Sequence, residues 1–139
     1  MKMKISIIMP AFNEAATVAE MISKVQAVDL GFSKEIIIVD DASVDGTRDD
    51  LKAFRERQNV CVIFHERNRG KGAAIRTALA HVTGDIVVIQ DADLEYDPED
   101  LPRLIRPIAS GKADVVHGNR FHGEALEFCS SGTLSGMDC

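Results

Sequence analysis

Ile86-Val87-Val88-Ile89-Gln90-Asp91-Ala92-Asp93-Leu94-Glu95 joins four apolar residues directly to a row of alternating carboxylates. The apolar run is too short and too β-branched for a helix and reads as a buried strand. In extended backbone, residues two apart point to the same side, so Asp91 and Asp93 converge, and Glu95 continues the alternation. Carboxylates so placed suit a hard divalent cation, and Mg²⁺ is commonly held by one or two of them together with substrate phosphates. The acids that follow have a plainer explanation. Asp97, Pro98, Glu99 and Asp100 suit the positively polarised first turn of a helix predicted over about 98–108. That explanation does not reach Asp91 and Asp93, which stand at the very end of a buried strand, and a metal site is the reading for them.

Working outward, the chain repeats one rhythm of short apolar strand, polar turn and amphipathic helix. Further strands are predicted at 5–9, 35–39, 60–64 and 113–116. A helix over about 14–28 carries Val18, Met21, Ile22 and Val25 on one face, and a second carries Leu51 and Phe54. Gly70-Lys71-Gly72 opens a third, with Ile75, Leu79 and Val82 expected to face inward, and Leu101, Leu104, Ile105 and Ile108 read as core of a fourth. Unbroken apolar strands alternating with helices imply an α/β fold: a mostly parallel sheet with helices on both faces. In such sheets ligands bind outside the carboxyl ends of the strands. Every unusual polar cluster falls at such an end: Asn13/Glu14, Asp40/Asp41, Asn68 to Lys71, Asp91/Asp93 and Asn119/Arg120. Polar turns explain any one of these; one composite site explains all five.

A chain of 139 residues makes one domain with a real core. Its net charge of −6 argues against a general nucleic-acid binder, which would carry a basic face. Cys61, Cys129 and Cys139 show neither a pair nor metal spacing, which favours a reduced, cytoplasmic setting. The apolar stretch at 5–9 is too short for a signal peptide, and none approaches a membrane span, so a soluble chain is expected. His65, His81, His117 and His122 share no spacing and read as surface or packing residues. Lys52, Arg55 and Arg57 read as a solvated helix face.

No glycine-rich dinucleotide fingerprint follows the first strand, and Gly70-Lys71-Gly72 lacks the spacing and Ser/Thr of a phosphate loop. What remains is a metal-binding pair, aspartates near the middle of the sheet, and basic groups at Arg67, Arg69, Lys71 and Arg120. An aspartate accepts hydrogen bonds from the N–H groups of a base or from ribose hydroxyls. These parts suit a nucleoside diphosphate with a leaving group beyond its β-phosphate.

Five motifs, in order, carry a resemblance: Ile7-Ile8-Met9-Pro10-Ala11-Phe12-Asn13-Glu14, Val39-Asp40-Asp41-Ala42-Ser43-Val44-Asp45-Gly46-Thr47, Arg67-Asn68-Arg69-Gly70-Lys71-Gly72, Asp91-Ala92-Asp93-Leu94 and Gly118-Asn119-Arg120-Phe121. The set resembles the family 2 glycosyltransferases, and within them the dolichol- and polyprenyl-phosphate sugar transferases. The resemblance implies a GT-A fold, Rossmann-like and here truncated on the acceptor side. It implies a nucleotide-sugar donor, GDP-mannose or a UDP-sugar, and a polyprenyl-phosphate acceptor that would bring the chain to the cytoplasmic membrane face. By position, Pro10, Phe12, Glu14, Val39 and Asp41 would hold the nucleoside, with Lys71 and Ala92 alongside the diphosphate. Asp91, Asp93 and Glu95 would hold Mg²⁺ or Mn²⁺, and Asp93 and Arg120 would serve the transfer itself, with inversion at the anomeric carbon. Ala42 stands where the family often has Gly, and Asn119 where it often has Ser.

The resemblance covers about 4–123, so 1–123 reads as the nucleotide-sugar-binding part and 124–139 as a non-family tail, frameshifted or disordered. Codons permitted for 126–137, read two nucleotides later, give Arg-Val-Leu-Phe-Phe-Trp-His, which resembles the family's continuation. Two other readings compete with a transferase. A non-catalytic nucleotide-sugar-binding remnant would bind donor without turnover. A sugar nucleotidyltransferase would form pyrophosphate, but its glycine-rich basic loop after the first strand is missing.

Overall fold

The apolar runs become strands of a single sheet. The elements are β1 (Lys4–Ala11), α1 (Val18–Ala27), β2 (Ser33–Asp40), α2 (Thr47–Lys52), β3 (Val60–Phe64), α3 (Lys71–Leu79), β4 (Ile86–Ile89), β5 (Val115–Gly118) and β6 (Leu126–Cys129). The computed structural model describes residues 4–92, 98–103, 105, 115–118 and 126–129. Strand order is β3-β2-β1-β4-β5-β6. The first five strands run parallel and β6 is antiparallel to β5, pairing Val115 with Cys129 and Gly118 with Leu126.

Side-chain alternation divides the core in two. Ile5, Ile7, Met9, Ile36, Ile38, Ile86 and Val88 face α1, α2 and the helical residues Leu101 and Ile105. Ile8, Ile37 and Val39 face α3. On α3 the buried residues are Ala73, Ala74 and Ala78, whose small side chains let the helix lie close to the sheet. Leu79, expected to face inward, is 49% exposed: it is the last residue of α3, and Ala78 takes the inward position beside it. Ile75 and Val82 pack as expected against the α3-side core.

Several boundaries shift relative to the sequence reading: β1 runs on to Ala11, and β2 begins at Ser33. Residues 98–100 form a 3₁₀ turn before the helical residues 101–103; β5 spans Val115–Gly118, and residues 113 and 114 of the predicted strand lie outside the described residues. Helix α1 starts at Val18 rather than near residue 14. The residues ahead of it are bonded to side chains of the β2–α2 turn: Asn13 N–H donates to Ser43 Oγ (2.8 Å), Glu14 N–H to Thr47 Oγ1 (2.9 Å) and Ala15 N–H to Asp45 Oδ2 (3.2 Å). Leu104 and Ile108, read as core, lie outside the described residues.

Successive βα units advance from β1 to β3. Helix α3 then carries the chain back across the sheet to β4, on the other side of β1. The direction of winding therefore reverses between β1 and β4, where open α/β sheets form their ligand crevice. The amino end of the sheet is locked by polar bonds. Glu35 accepts from Ser6 Oγ (2.5 Å), Thr83 N–H (2.8 Å) and Thr83 Oγ1 (2.9 Å). Burial raises the Glu35 pKa, but those bonds and the charge of Lys4 outweigh it and hold the carboxyl below its ordinary range.

Candidate functional site

The carboxyl ends of β1, β2, β3 and β4 bring together Asn13/Glu14, Asp40/Asp41, Asn68 to Lys71 and Asp91; Asp93, Asn119 and Arg120 lie outside the described residues. The tandem aspartates do not converge. Asp40 ends β2 on the α2 side, where Oδ2 accepts from Ser43 N–H (3.1 Å) and lies 3.8 Å from Arg48 Nε. Asp41, one residue on, turns to the α3 side.

Asp41 is 3% exposed and organises the β3–α3 loop. Its Oδ1 accepts from His65 Nδ1 (2.9 Å) and Arg69 N–H (2.8 Å), its Oδ2 from Gly70 N–H (2.8 Å), and its carbonyl from Asn68 Nδ2 (3.3 Å). Burial pushes the Asp41 pKa up. The bond from His65, the two backbone N–H groups and the charge of His65 together overcome that and bring it below the usual value. Gly70, at φ +97°, adopts a conformation that favours glycine and delivers the chain into α3.

Sequence reasoning left His65 among surface or packing residues and missed its place beside Asp41. His65 is buried, not a surface side chain, and its Nε2 lies 2.8 Å from Thr77 Oγ1 on α3. The parallel register contained the signal: Asp40 pairs with Phe64, so Asp41 and His65 leave their strands side by side.

The β1–α1 and β2–α2 loops are cross-bonded, with Val44 N–H also donating to Asn13 Oδ1 (2.9 Å). Within the second loop, Ala42 sits at φ +63°, the left-handed region. A glycine, which the resemblance leads one to expect here, would adopt that conformation without strain. A side chain there costs about 1–2 kcal/mol, and glycine's extra unfolded-state freedom returns part of the relief. Ala42→Gly is therefore expected to raise stability by about 0.5–1 kcal/mol, read as a higher urea midpoint at unchanged slope. A lower midpoint would show that the strain is illusory.

At β4, Asp91 turns to the α3 side, and its Oδ1 meets Lys71 Nζ at 2.6 Å. Lys71 opens α3 and its side chain is 51% exposed; that of Asp91 is 20% exposed. Ala92 is buried, and its carbonyl accepts from Thr17 Oγ1 (3.0 Å), which ties the start of α1 to the loop after β4. Asp93 and Glu95 lie outside the described residues, and among the described residues no three metal-ligating side chains cluster.

Of the residues expected around a nucleoside, Pro10 and Val39 are paired across β1 and β2 and both are buried. Val39 belongs to the core under α3, so only its main chain is offered to a ligand. Phe12 is 45% exposed just past β1, and Glu14, partly buried, lies 3.3 Å from Thr17 Oγ1 through its Oε2. The structure thus brings Asp41, Lys71 and Asp91 to one face of the sheet, with Phe12 and Glu14 on the adjoining loop. No helix among the described residues is long and apolar enough to cross a membrane.

Comparison with known proteins agrees with this geometry. The model of glycosyl transferase family 2 matches residues 6–128. A dolichol-phosphate mannosyltransferase of Pyrococcus furiosus is 34% identical over 119 residues, which are 86% of this chain and 34% of that protein. An undecaprenyl-phosphate 4-deoxy-4-formamido-L-arabinose transferase of Pseudomonas aeruginosa is 38% identical over 116 residues, 81% of this chain and 34% of its own length. The chain thus spans about a third of the length of the curated relatives it matches. Among solved structures, a mannosyltransferase from Pyrobaculum calidifontis in complex with GDP-Man and Mn²⁺ superposes with a TM-score of 0.68 at 31% identity, covering 78% of this chain and 33% of that one. With its mostly parallel sheet, its GT-A architecture and a family match over nearly its whole length, the chain belongs to glycosyl transferase family 2.

Proposed function

We propose that this chain forms the donor-binding part of a glycosyltransferase that moves a sugar from a nucleotide-sugar, GDP-mannose or a UDP-sugar, to a polyprenyl phosphate at the cytoplasmic membrane face. The observation that carries the reading is the Asp91–Lys71 ion pair at 2.6 Å beside the switch point, on the same face as Asp41. A carboxylate there suits a divalent cation and a lysine suits a phosphate. The first turn of α3 adds outward N–H groups and contains no acidic residue, which also favours an anion.

On this reading Asp91, with Asp93 and Glu95, holds Mg²⁺ or Mn²⁺, and the donor set of hard carboxylate oxygens fits either ion. The bound cation would neutralise charge on the departing nucleoside diphosphate. Lys71 and Arg120 meet phosphate oxygens and stabilise the same charge. Asp41, Phe12 and Glu14 hold the nucleoside over the Pro10–Val39 strand pair. The acceptor needs no strong general base, because a phosphate monoester with a second pKa of about 6 is largely ionised near neutral pH. Its oxygen attacks the anomeric carbon in line and inverts it. Calorimetric titration of the chain with GDP and with UDP, each with and without Mn²⁺, tests the donor reading. Binding of at least one, strengthened about tenfold or more by the metal, is expected. Binding of neither, or no metal dependence, would overturn it.

A further inference from the structure

The buried His65 has no part in the chemistry proposed above, yet it is held with unusual care. An ionised carboxylate only accepts hydrogen bonds, so the imidazole must present Nδ1–H to Asp41. Thr77 accommodates this whatever the charge on the ring. Its hydroxyl donates to Nε2 when the imidazole is neutral and accepts from Nε2–H when it is protonated. The ring is thus anchored at both ends, between the end of β2 and α3.

A carboxylate offers about four lone-pair positions. In Asp41 three are taken, by His65 Nδ1–H and Arg69 N–H on Oδ1 and by Gly70 N–H on Oδ2. Among the described residues nothing takes the remaining position, on Oδ2. Where it points depends on the rotation of the carboxylate about its last bond. The two backbone donors come from the loop between β3 and α3, whereas His65 directly follows a sheet strand and is braced on a helix. Of the three donors, the imidazole alone belongs to a side chain, so it alone can be removed without altering the backbone of the loop.

We infer that His65 is a positioning residue for nucleoside recognition: braced by Thr77, it sets the rotation of Asp41 so that the remaining Oδ2 position meets a ring N–H of the base. Guanine and uracil both carry such an N–H, so the device serves either nucleotide. The inference rests on the donor reading above, and it assigns His65 no contact with the substrate.

The test measures GDP, UDP and inorganic pyrophosphate binding, all with Mn²⁺, by the full chain, by His65→Ala and by His65→Asn, which retains an N–H near the Nδ1 position. Loss of an orienting partner behind a ligand commonly costs 10–100-fold in other sites, so a nucleotide Kd raised about tenfold is expected for His65→Ala. Pyrophosphate has no base and should bind as before, and His65→Asn should recover most of the nucleotide affinity. If His65→Ala fails to fold, Thr77→Ala keeps the Asp41 contact but removes its brace. A smaller loss confined to the nucleotides is then expected. Equal weakening of nucleotides and pyrophosphate would mean that His65 merely holds the loop together, and unchanged nucleotide affinity would mean that it does nothing at the site. Either result overturns the inference while leaving the donor reading intact. Failure of the wild-type chain to bind GDP or UDP overturns the donor reading, and the inference with it.

Discussion

Asp91→Ala is expected to remove metal-dependent nucleotide binding while leaving the fold intact. The two halves of that expectation come from different magnitudes. Asp91 pairs with a half-exposed lysine, and such pairs contribute about 0–1 kcal/mol to stability. No core cavity opens, because the carboxylate stands past the end of β4 and not among its apolar side chains. Its removal takes one charged oxygen ligand from the proposed cation and leaves Lys71 without its counter-charge. A loss of nucleotide affinity in Mn²⁺ of about a hundredfold, close to ~2.7 kcal/mol, is expected. Asp93→Ala should behave alike. Calorimetry with Mn²⁺ and GDP or UDP reads the affinity, and thermal melting checks the fold. A folded Asp91→Ala chain with undiminished metal dependence would exclude this carboxylate as a ligand.

Asp41→Ala should fail differently, through stability. Three N–H donors and a carboxamide converge on this nearly inaccessible residue, and the side-chain deletion orphans His65 Nδ1, Arg69 N–H and Gly70 N–H together. Removing one member of a buried charged cluster costs about 3–5 kcal/mol, enough to unfold a marginal domain. Asp41→Asn keeps the shape and one acceptor oxygen, and should lose less. Acid acts on the same group. Because its folded pKa lies below the ordinary carboxylate value, Asp41 stabilises the fold fully above about pH 4. That contribution fades as pH falls from there through the lowered folded value. Urea unfolding from pH 7 to pH 3 should therefore show wild type losing more stability than Asp41→Asn. Parallel declines would mean that Asp41 is not a main acid-labile support.

Much of this architecture is legible in the residues themselves. Strands β3 and β4 begin and end where the apolar runs do, because each packs against a core layer on both faces, needs no alternation and stops at the first polar residue. Leu51 and Phe54 lie in the core as their spacing implies. The carboxyl-end rule then places Asp41, Lys71 and Asp91 along one rim of the sheet. What escapes a linear reading is set by contacts distant in sequence. The N–H groups of Asn13, Glu14 and Ala15, just ahead of α1, are taken by Ser43, Thr47 and Asp45, about thirty residues away. His65 reads as an isolated histidine until the β2–β3 register places Asp41 beside it. The opposite faces served by the consecutive aspartates Asp40 and Asp41, by contrast, are open to the alternation rule. That division follows from strand alternation continuing one residue beyond β2.

The cross-bonded loops after β1 and β2 have a consequence for exchanging parts between relatives. Asn13 gives its N–H to Ser43 and takes that of Val44, Glu14 depends on Thr47, and Ala15 on Asp45. Each loop leans on the other. A graft of the first loop alone would meet foreign partners at every one of these bonds, whereas both loops moved together would take their mutual scaffold with them. Recombination that varies this rim of the protein therefore has a natural unit of inheritance: two segments separated by a helix and a strand, changing in step or not at all.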